Sequence, residues 1–102
     1  MPAVIEVIAE PRRRQILDLL RGQERLVTDL VDELGLAQPN VSKHLRVLRD
    51  AGLVTVRPDG PRRWYRVQPA PLMELDAWLA PYRRLWNDRL DALERHLDEM
   101  EE

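Results

Sequence analysis

The sequence contains no cysteine, which removes disulfides, thiol redox chemistry and thiolate metal sites from consideration. It has two histidines, His44 and His96, too few for most metal or triad chemistry. Lysine is almost missing too: Lys43 stands alone beside 15 arginines. No apolar stretch approaches the roughly 20 residues that span a bilayer, and no signal peptide opens the chain. The expected location is therefore the cytoplasm, with no membrane partner. There is no internal repeat, no low-complexity segment, no phosphate-binding loop, no Gly-rich dinucleotide turn and no credible carboxylate pair. An enzyme is not expected, and no cofactor is implied.

What is present fits one domain. A length of 102 residues excludes a two-domain enzyme, and a hydrophobic fraction of 44% supports a core spanning residues 1–102. The formal charge of −2 conceals a segregation. Residues 36–68 hold seven basic groups against two acids, a net of +5, whereas residues 69–102 hold four against nine, a net of −5. A segregated charge keeps a polyanion partner in view, and the basic segment is where to look for it.

Val4, Ile5 and Ile8 fall at helical spacing, and Glu10-Pro11 stops that short helix and starts a second that runs to about Arg21. Ile16, Leu17 and Leu20 point inward there, and Gly22 is the stop. A third helix covers about Val27 to Leu34 and ends at Gly35, where a sharp turn requires positive φ. A fourth runs from about Gln38 to Asp50 and closes at Ala51-Gly52. The period then changes: Leu53 to Arg57 is β-branched, Pro58-Asp-Gly-Pro61 is turn chemistry, and Arg62 to Gln68 alternates, which is a β-hairpin. From Pro71, Leu72, Leu75, Leu79, Tyr82, Trp86, Leu90, Leu93, Leu97 and Met100 recur at steps of three and four. Pro81 is expected to divide this run into a shorter helix to about Leu79 and a longer one beyond.

Two short helices joined by a three-residue turn and followed by a hairpin make the winged helix-turn-helix plan: mainly α with a β-hairpin wing. The helix-turn-helix occupies about 27–50, the wing about 53–68 and the C-terminal helices about 70–101. On the fourth helix, Val41, Leu45 and Leu48 lie within about 60° of one another and must face the core. Ser42, Lys43, Arg46, Arg49 and Asp50 fall opposite, extended at the N-terminal end by Gln38, Pro39 and Asn40. Arg, Gln, Ser and Lys are the side chains that read guanine, adenine and phosphate. The ordinary alternative is a solvated charged face, and the adjoining basic hairpin shifts the balance towards DNA. There Arg57 precedes the turn and Arg62, Arg63, Trp64 and Arg66 follow it; alternation sends Tyr65 and Val67 to the core and Arg62, Trp64 and Arg66 outward. For Trp64, cross-strand packing is favoured over base stacking.

Four strings carry a resemblance: Pro11-Arg-Arg-Arg-Gln-Ile-Leu17, Gln38-Pro-Asn-Val-Ser-Lys-His-Leu-Arg-Val-Leu48, Ala51-Gly-Leu-Val54 and Arg62-Arg-Trp-Tyr65. They resemble the ArsR/SmtB family of bacterial repressors, and Trp78-Leu-Ala-Pro-Tyr-Arg-Arg-Leu-Trp86 resembles the branch often encoded beside START-like (SRPBCC) proteins. The resemblance implies a homodimer that binds double-stranded operator DNA and represses transcription. It also implies dimer contacts through the first and last helices: Val4, Ile5, Ile8, Leu79, Tyr82, Trp86, Leu90, Leu93, Leu97 and Met100.

Departures from the family bear on caps and metals. Leu26 and Ala37 stand where Ser or Thr usually caps, so Thr28 is expected to cap the third helix instead. The cysteine pair of the metal sensors is absent at Val27 to Val31. Of the C-terminal ligand set only His96-x-x-Glu99 remains, since Arg83 and Leu85 occupy the upstream positions. Two ligands on one helical turn do not make a tetrahedral zinc site, so no metal is expected. His44, on the flank of the core face, is expected to be partly buried and hydrogen-bonded; as a base it lacks an orienting acid, and Ser42 lies on another face. Two rival readings are a protein-interaction module and a small-molecule sensor at the Trp78/Tyr82/Trp86 stripe. A protein-binding face would carry more exposed apolar residues than the basic segment does. The effector is unknown.

Overall fold

Glu10 and Pro11 divide the first 20 residues into α1 (Pro2–Ile8) and α2 (Pro11–Leu20) in the computed structural model, which describes residues 2–101. Residues 1 and 102 of the expected 1–102 unit lie outside the described residues. The Glu10 carboxylate accepts hydrogen bonds from the backbone N–H groups of Arg12 (2.9 Å) and Arg13 (3.3 Å), and Pro11 fills the first helical position, where no N–H is needed.

A strand not foreseen from the sequence, β1 (Arg25–Leu26), precedes α3 (Val27–Leu34). Two residues are too short for a period-two pattern to register. Leu26 is the N-cap of α3, which puts Thr28 inside the helix and corrects its expected capping role. The Asp29 carboxylate instead accepts from the Leu26 N–H at 3.0 Å. Gly35 ends α3 at φ 65°, its N–H donating to the Val31 carbonyl at 2.9 Å.

The fourth helix, α4 (Gln38–Asp50), buries Val41, Leu45 and Leu48. Its C-terminus closes tightly: Gly52 adopts φ 75°, the Gly52 N–H donates to Arg49 O (3.0 Å) and the Leu53 N–H to Leu48 O (2.9 Å). Both leucines are fully buried in the same core cluster, the apolar arrangement that accompanies this kind of helix end. The chain then enters β2 (Val54–Asp59) and β3 (Arg62–Val67), and the sheet order is β1-β3-β2, all antiparallel. Asp59 pairs with Arg62, so the loop is Gly60-Pro61 alone, shorter than the four-residue turn expected. Gly60 at φ 59° supplies the positive φ that a two-residue hairpin requires, and Pro58 is tolerated because β2 is an edge strand.

The final element, α5 (Ala70–Glu101), is one helix of 32 residues, and the expected division at Pro81 does not occur. Proline removes one rung of the ladder at an exposed position, where water reaches the freed carbonyl. Arg83 reaches back across the gap, donating to the Asp76 carbonyl (3.1 Å) and carboxylate (2.6 Å). The flanking Leu, Ala, Met, Glu and Arg are strong helix formers.

Ile16, Leu20, Leu30, Val41, Leu45, Leu48, Leu53 and Val54 form the core, with Leu72 and Leu75 of α5 packed against it. Val4 belongs to this core at 4% exposure, which corrects its place in the expected dimer face: α1 turns Val4 and Val7 inward and leaves Ile5 outward. Beyond Leu79 the apolar side of α5 has no cover from its own chain, as Tyr82, Trp86, Leu90, Leu93, Leu97 and Met100 are exposed. The molecule measures 67 × 26 × 21 Å, a compact head with a projecting arm. Among the described residues no helix is long and apolar enough to cross a membrane.

Backbone geometry at two glycines gives a paired expectation. A Cβ on Gly35 or Gly22 would meet nothing within 4 Å, but only Gly35 has positive φ. Gly35→Ala should lower the unfolding free energy by about 1–2 kcal/mol, while Gly22→Ala should be neutral or stabilise by up to about 1 kcal/mol. Urea midpoints measure both; equal effects would mean that the αL turn is not what joins α3 to α4.

Candidate nucleic-acid interface

Burial of Val41, Leu45 and Leu48 fixes the rotation of α4, and the opposite side is presented whole: Gln38, Pro39, Asn40, Ser42, Lys43, Arg46 and Arg49 are all exposed. Neither Lys43, Arg46 nor Arg49 is in an ion pair found among the described residues. The cationic side chains of the helix are therefore available to an anion without first breaking an internal pair.

The wing divides its faces as alternation requires. Tyr65 and Val67 pack against the core, while Arg62 and Arg66 are exposed on the other face. Arg63, on the Tyr65 side near the tip, is exposed as well. Arg66 donates from Nε to Thr55 Oγ1 across the hairpin at 3.2 Å, which orders its stem and leaves the terminal nitrogens outward. Arg57 is held differently. Its Nε donates to Glu24 Oε2 (3.0 Å) and Oε1 (3.4 Å), and its guanidinium lies 5.9 Å from the centroid of the Trp64 ring, the residue directly opposite in register. Trp64 Nε1 donates to Asp59 Oδ2 at 3.2 Å. Trp64 is thus packed across the strands, with one ring face occupied by Arg57. Sequence patterns do not single out Glu24; it lies 33 residues from Arg57, and no local spacing links them.

An open cleft of about 440 Å³ separates α4 from β3, lined by Ser42, Leu45, Arg46, Arg49, Asp50 and Tyr65. Alternation places the Tyr65 side chain in the core alone; the structure gives it a second exposure, to this cleft.

His44 is half-buried as expected, but the expected hydrogen bond is not made: Nδ1 lies 3.8 Å from Glu10 Oε2, and that carboxylate is already engaged in capping α2. Among the described residues no three His, Asp or Glu side chains converge as a metal-ligand group, and His96 and Glu99 are both exposed on the arm. Trp78 and Tyr82 stack obliquely, 5.0 Å between centroids, on the exposed side of α5 with Trp86 one turn on.

A short helix, an αL glycine turn, a second helix with a buried apolar and an exposed cationic side, and a basic hairpin alongside define a winged helix-turn-helix DNA-binding protein. Residues 10–56 match the family model described as bacterial regulatory protein, arsR family. Over 75 residues the chain is 33% identical to the arsenical resistance operon repressor of Staphylococcus aureus, covering 74% of this chain and 72% of that protein. It is 29% identical over 79 residues to the transcriptional repressor SdpR of Bacillus subtilis (78% and 88% covered). The homodimeric winged helix-turn-helix domain Mb0332 of Mycobacterium bovis, a possible ArsR-family regulator solved by NMR, superposes with a TM-score of 0.66 at 32% identity, covering 81% of this chain and 77% of that one. The chain belongs to the arsR family of bacterial regulatory proteins: it is a DNA-binding transcriptional regulator and not an enzyme.

The Glu24–Arg57 pair is exposed, so Glu24→Gln should change stability by less than about 1 kcal/mol. Freed from its carboxylate, Arg57 should add to phosphate binding and steepen the log affinity against log salt slope by up to about 0.9 per protomer. Filter binding across a salt series measures this, and an unchanged slope would show that Arg57 stays idle on DNA.

Proposed function

We propose that this protein is a homodimeric repressor of transcription that binds a two-fold operator in duplex DNA and is not controlled by a transition metal. The observation that carries the reading is the exposed cationic face of α4, in no ion pair among the described residues, beside the exposed Arg62 and Arg66 of the wing. In this reading Gln38, Pro39, Asn40, Ser42 and Arg46 meet base edges in the major groove, while Lys43, Arg49, Arg62, Arg63 and Arg66 hold phosphates. Arg57 joins them only on leaving Glu24, and Trp64 supports the wing rather than stacking on a base. Repression follows from the relatives named as repressors.

The arm supports the dimer. Ile5, Ile8, Leu79, Tyr82, Trp86, Leu90, Leu93, Leu97 and Met100 would be covered by a second copy, and the M. bovis relative is homodimeric. Residues 81–89 carry three arginines against one acid, whereas residues 90–101 carry one arginine against five acids. Opposite ends of two arms therefore attract and like ends repel. Such a pair sets two recognition helices about 34 Å apart, one turn of DNA. Metal independence rests on the missing thiolates and on an exposed His96–Glu99 pair: a ligand that binds both conformations equally shifts no equilibrium.

A dimer that neutralises on the order of 6–10 phosphates should show a log–log salt slope of roughly −5 to −9 on the promoter it regulates. Lys43→Ala should weaken all duplexes alike, whereas Gln38→Ala or Arg46→Ala should cost about 1–3 kcal/mol at one base position. Chelator and stoichiometric zinc should give affinities within about twofold of each other. A flat salt response removes the DNA reading, and zinc-dependent release abolished by His96→Ala removes the metal clause alone.

Leu93 is 53% exposed in one protomer, so a charge there disturbs only an interface. Leu93→Glu should leave the head folded by circular dichroism, shift sedimentation to a monomer at micromolar concentration and weaken operator binding in step. A monomeric parent protein overturns the assembly.

A further inference from the structure

We infer that the cleft between α4 and β3 is the channel for one sugar-phosphate strand of the bound duplex, with Tyr65 Oη and Arg49 holding a phosphate inside it. The channel rests on the proposed DNA reading and adds to it a phosphate partner, Tyr65, that the reading does not contain. If α4 occupies the major groove while the wing reaches the neighbouring minor groove, the backbone strand that separates the two grooves must pass between helix and hairpin. The cleft of about 440 Å³ is the space between them.

Its walls carry the chemistry for a phosphate. Ser42, Arg46 and Arg49 fall at intervals of four and three on α4, which aligns them along one side facing Tyr65 on the central strand β3. The Tyr65 ring packs on the core, so its position is fixed by burial rather than by a flexible stem. Its hydroxyl makes none of the side-chain hydrogen bonds found among the described residues and is not among the buried polar atoms left without a partner. A fixed donor that shares an open cleft with two guanidinium groups in no ion pair among the described residues is preorganised for an anionic oxygen. Ser42 and Arg46, nearer the N-terminus of α4, form the wall towards the major groove and remain available to bases. Asp50 lines the C-terminal end of the cleft and repels a phosphate there, so the strand is confined to the part between Arg49 and Tyr65. Phosphate carries no sequence, so holding it raises affinity and sets register without choosing a base.

Tyr65→Phe keeps the packed ring and removes the donor. It should bind about tenfold more weakly to operator and random-sequence duplexes alike, with an unchanged thermal midpoint. Arg49→Gln, at an exposed position, should reduce the salt slope by about 0.9 for each phosphate that is no longer neutralised. Asp50→Asn should tighten binding to both duplexes. A scan of neutral methylphosphonates along the operator should find one position per half-site that weakens the parent more than it weakens Tyr65→Phe, in which Arg49 alone still meets that phosphate. If the parent shows no salt-dependent binding to any duplex, the underlying DNA reading fails and this one with it. If the parent binds and Tyr65→Phe binds equally, or loses affinity for the operator alone, the channel is overturned while the DNA reading stands.

Discussion

Removal of Val41, Leu45 and Leu48 from water is the constraint from which the rest of the molecule follows. These three side chains lie against Ile16 of α2, Leu30 of α3 and the Leu53-Val54 start of the wing. The same burial therefore joins three helices and the sheet. It also decides which way Gln38, Ser42 and Arg46 point, because a helix pinned on one side has no freedom of rotation left. The turn at Gly52 extends this control into the hairpin: the Leu53 N–H bonds the Leu48 carbonyl across it and both side chains enter the same core, so the wing leaves α4 in a direction set by packing.

Charge completes what packing begins. A net charge of −2 on the chain would repel DNA weakly at long range, but bases outnumber acids seven to two in residues 36–68 and acids outnumber bases nine to four in residues 69–102. Within the basic region the cations are not equivalent. Lys43, Arg46 and Arg49 are in no ion pair among the described residues, Arg66 is steadied by Thr55, and Arg57 is held by Glu24 above the Trp64 ring. The interface is graded, from groups that meet an anion at once to one that must first leave a carboxylate.

Elements with strong periodicity and glycine punctuation are legible in the sequence. The bounds of α4, the αL turn at Gly35 and the inward placing of Tyr65 and Val67 follow from spacing alone. What is not legible depends on side-chain partners, some distant in the chain and some near, that spacing and propensity do not count. Strand β1 exists because Arg25 and Leu26 pair with Tyr65 and Trp64, and two residues leave no pattern of their own. Val4 reads as one of three equivalent apolar residues on α1 until the packing against α2 and α5 takes it inward and leaves Ile5 out. Pro81 reads as a break because propensity counts the missing N–H and not the Arg83 side chain that spans the gap. The cap expected of Thr28 falls to Asp29, whose carboxylate reaches the N–H of a leucine that has no acceptor of its own. On the interface, helical angle identifies the residues of α4 but not the state of each arginine in the wing, since Glu24 meets Arg57 only in three dimensions.

The single long helix has a geometric consequence for the proposed pair. Leu72, Leu79, Trp86, Leu93 and Met100 stand seven residues apart, a repeat of about 3.5 residues per turn that keeps the seam on one side of the helix when two arms wind gently left-handed around each other. The first turns of that helix are anchored to the head through Leu72 and Leu75, and at about 1.5 Å per residue its 32 residues span about 48 Å. The arm is then a ruler. Adding one residue moves the head outward by about 1.5 Å and swings it by about 100°, turning the DNA-facing side away from its partner's phase. The distance between the two heads can change only in steps that restore the face, so arm length and half-site spacing are locked to one another.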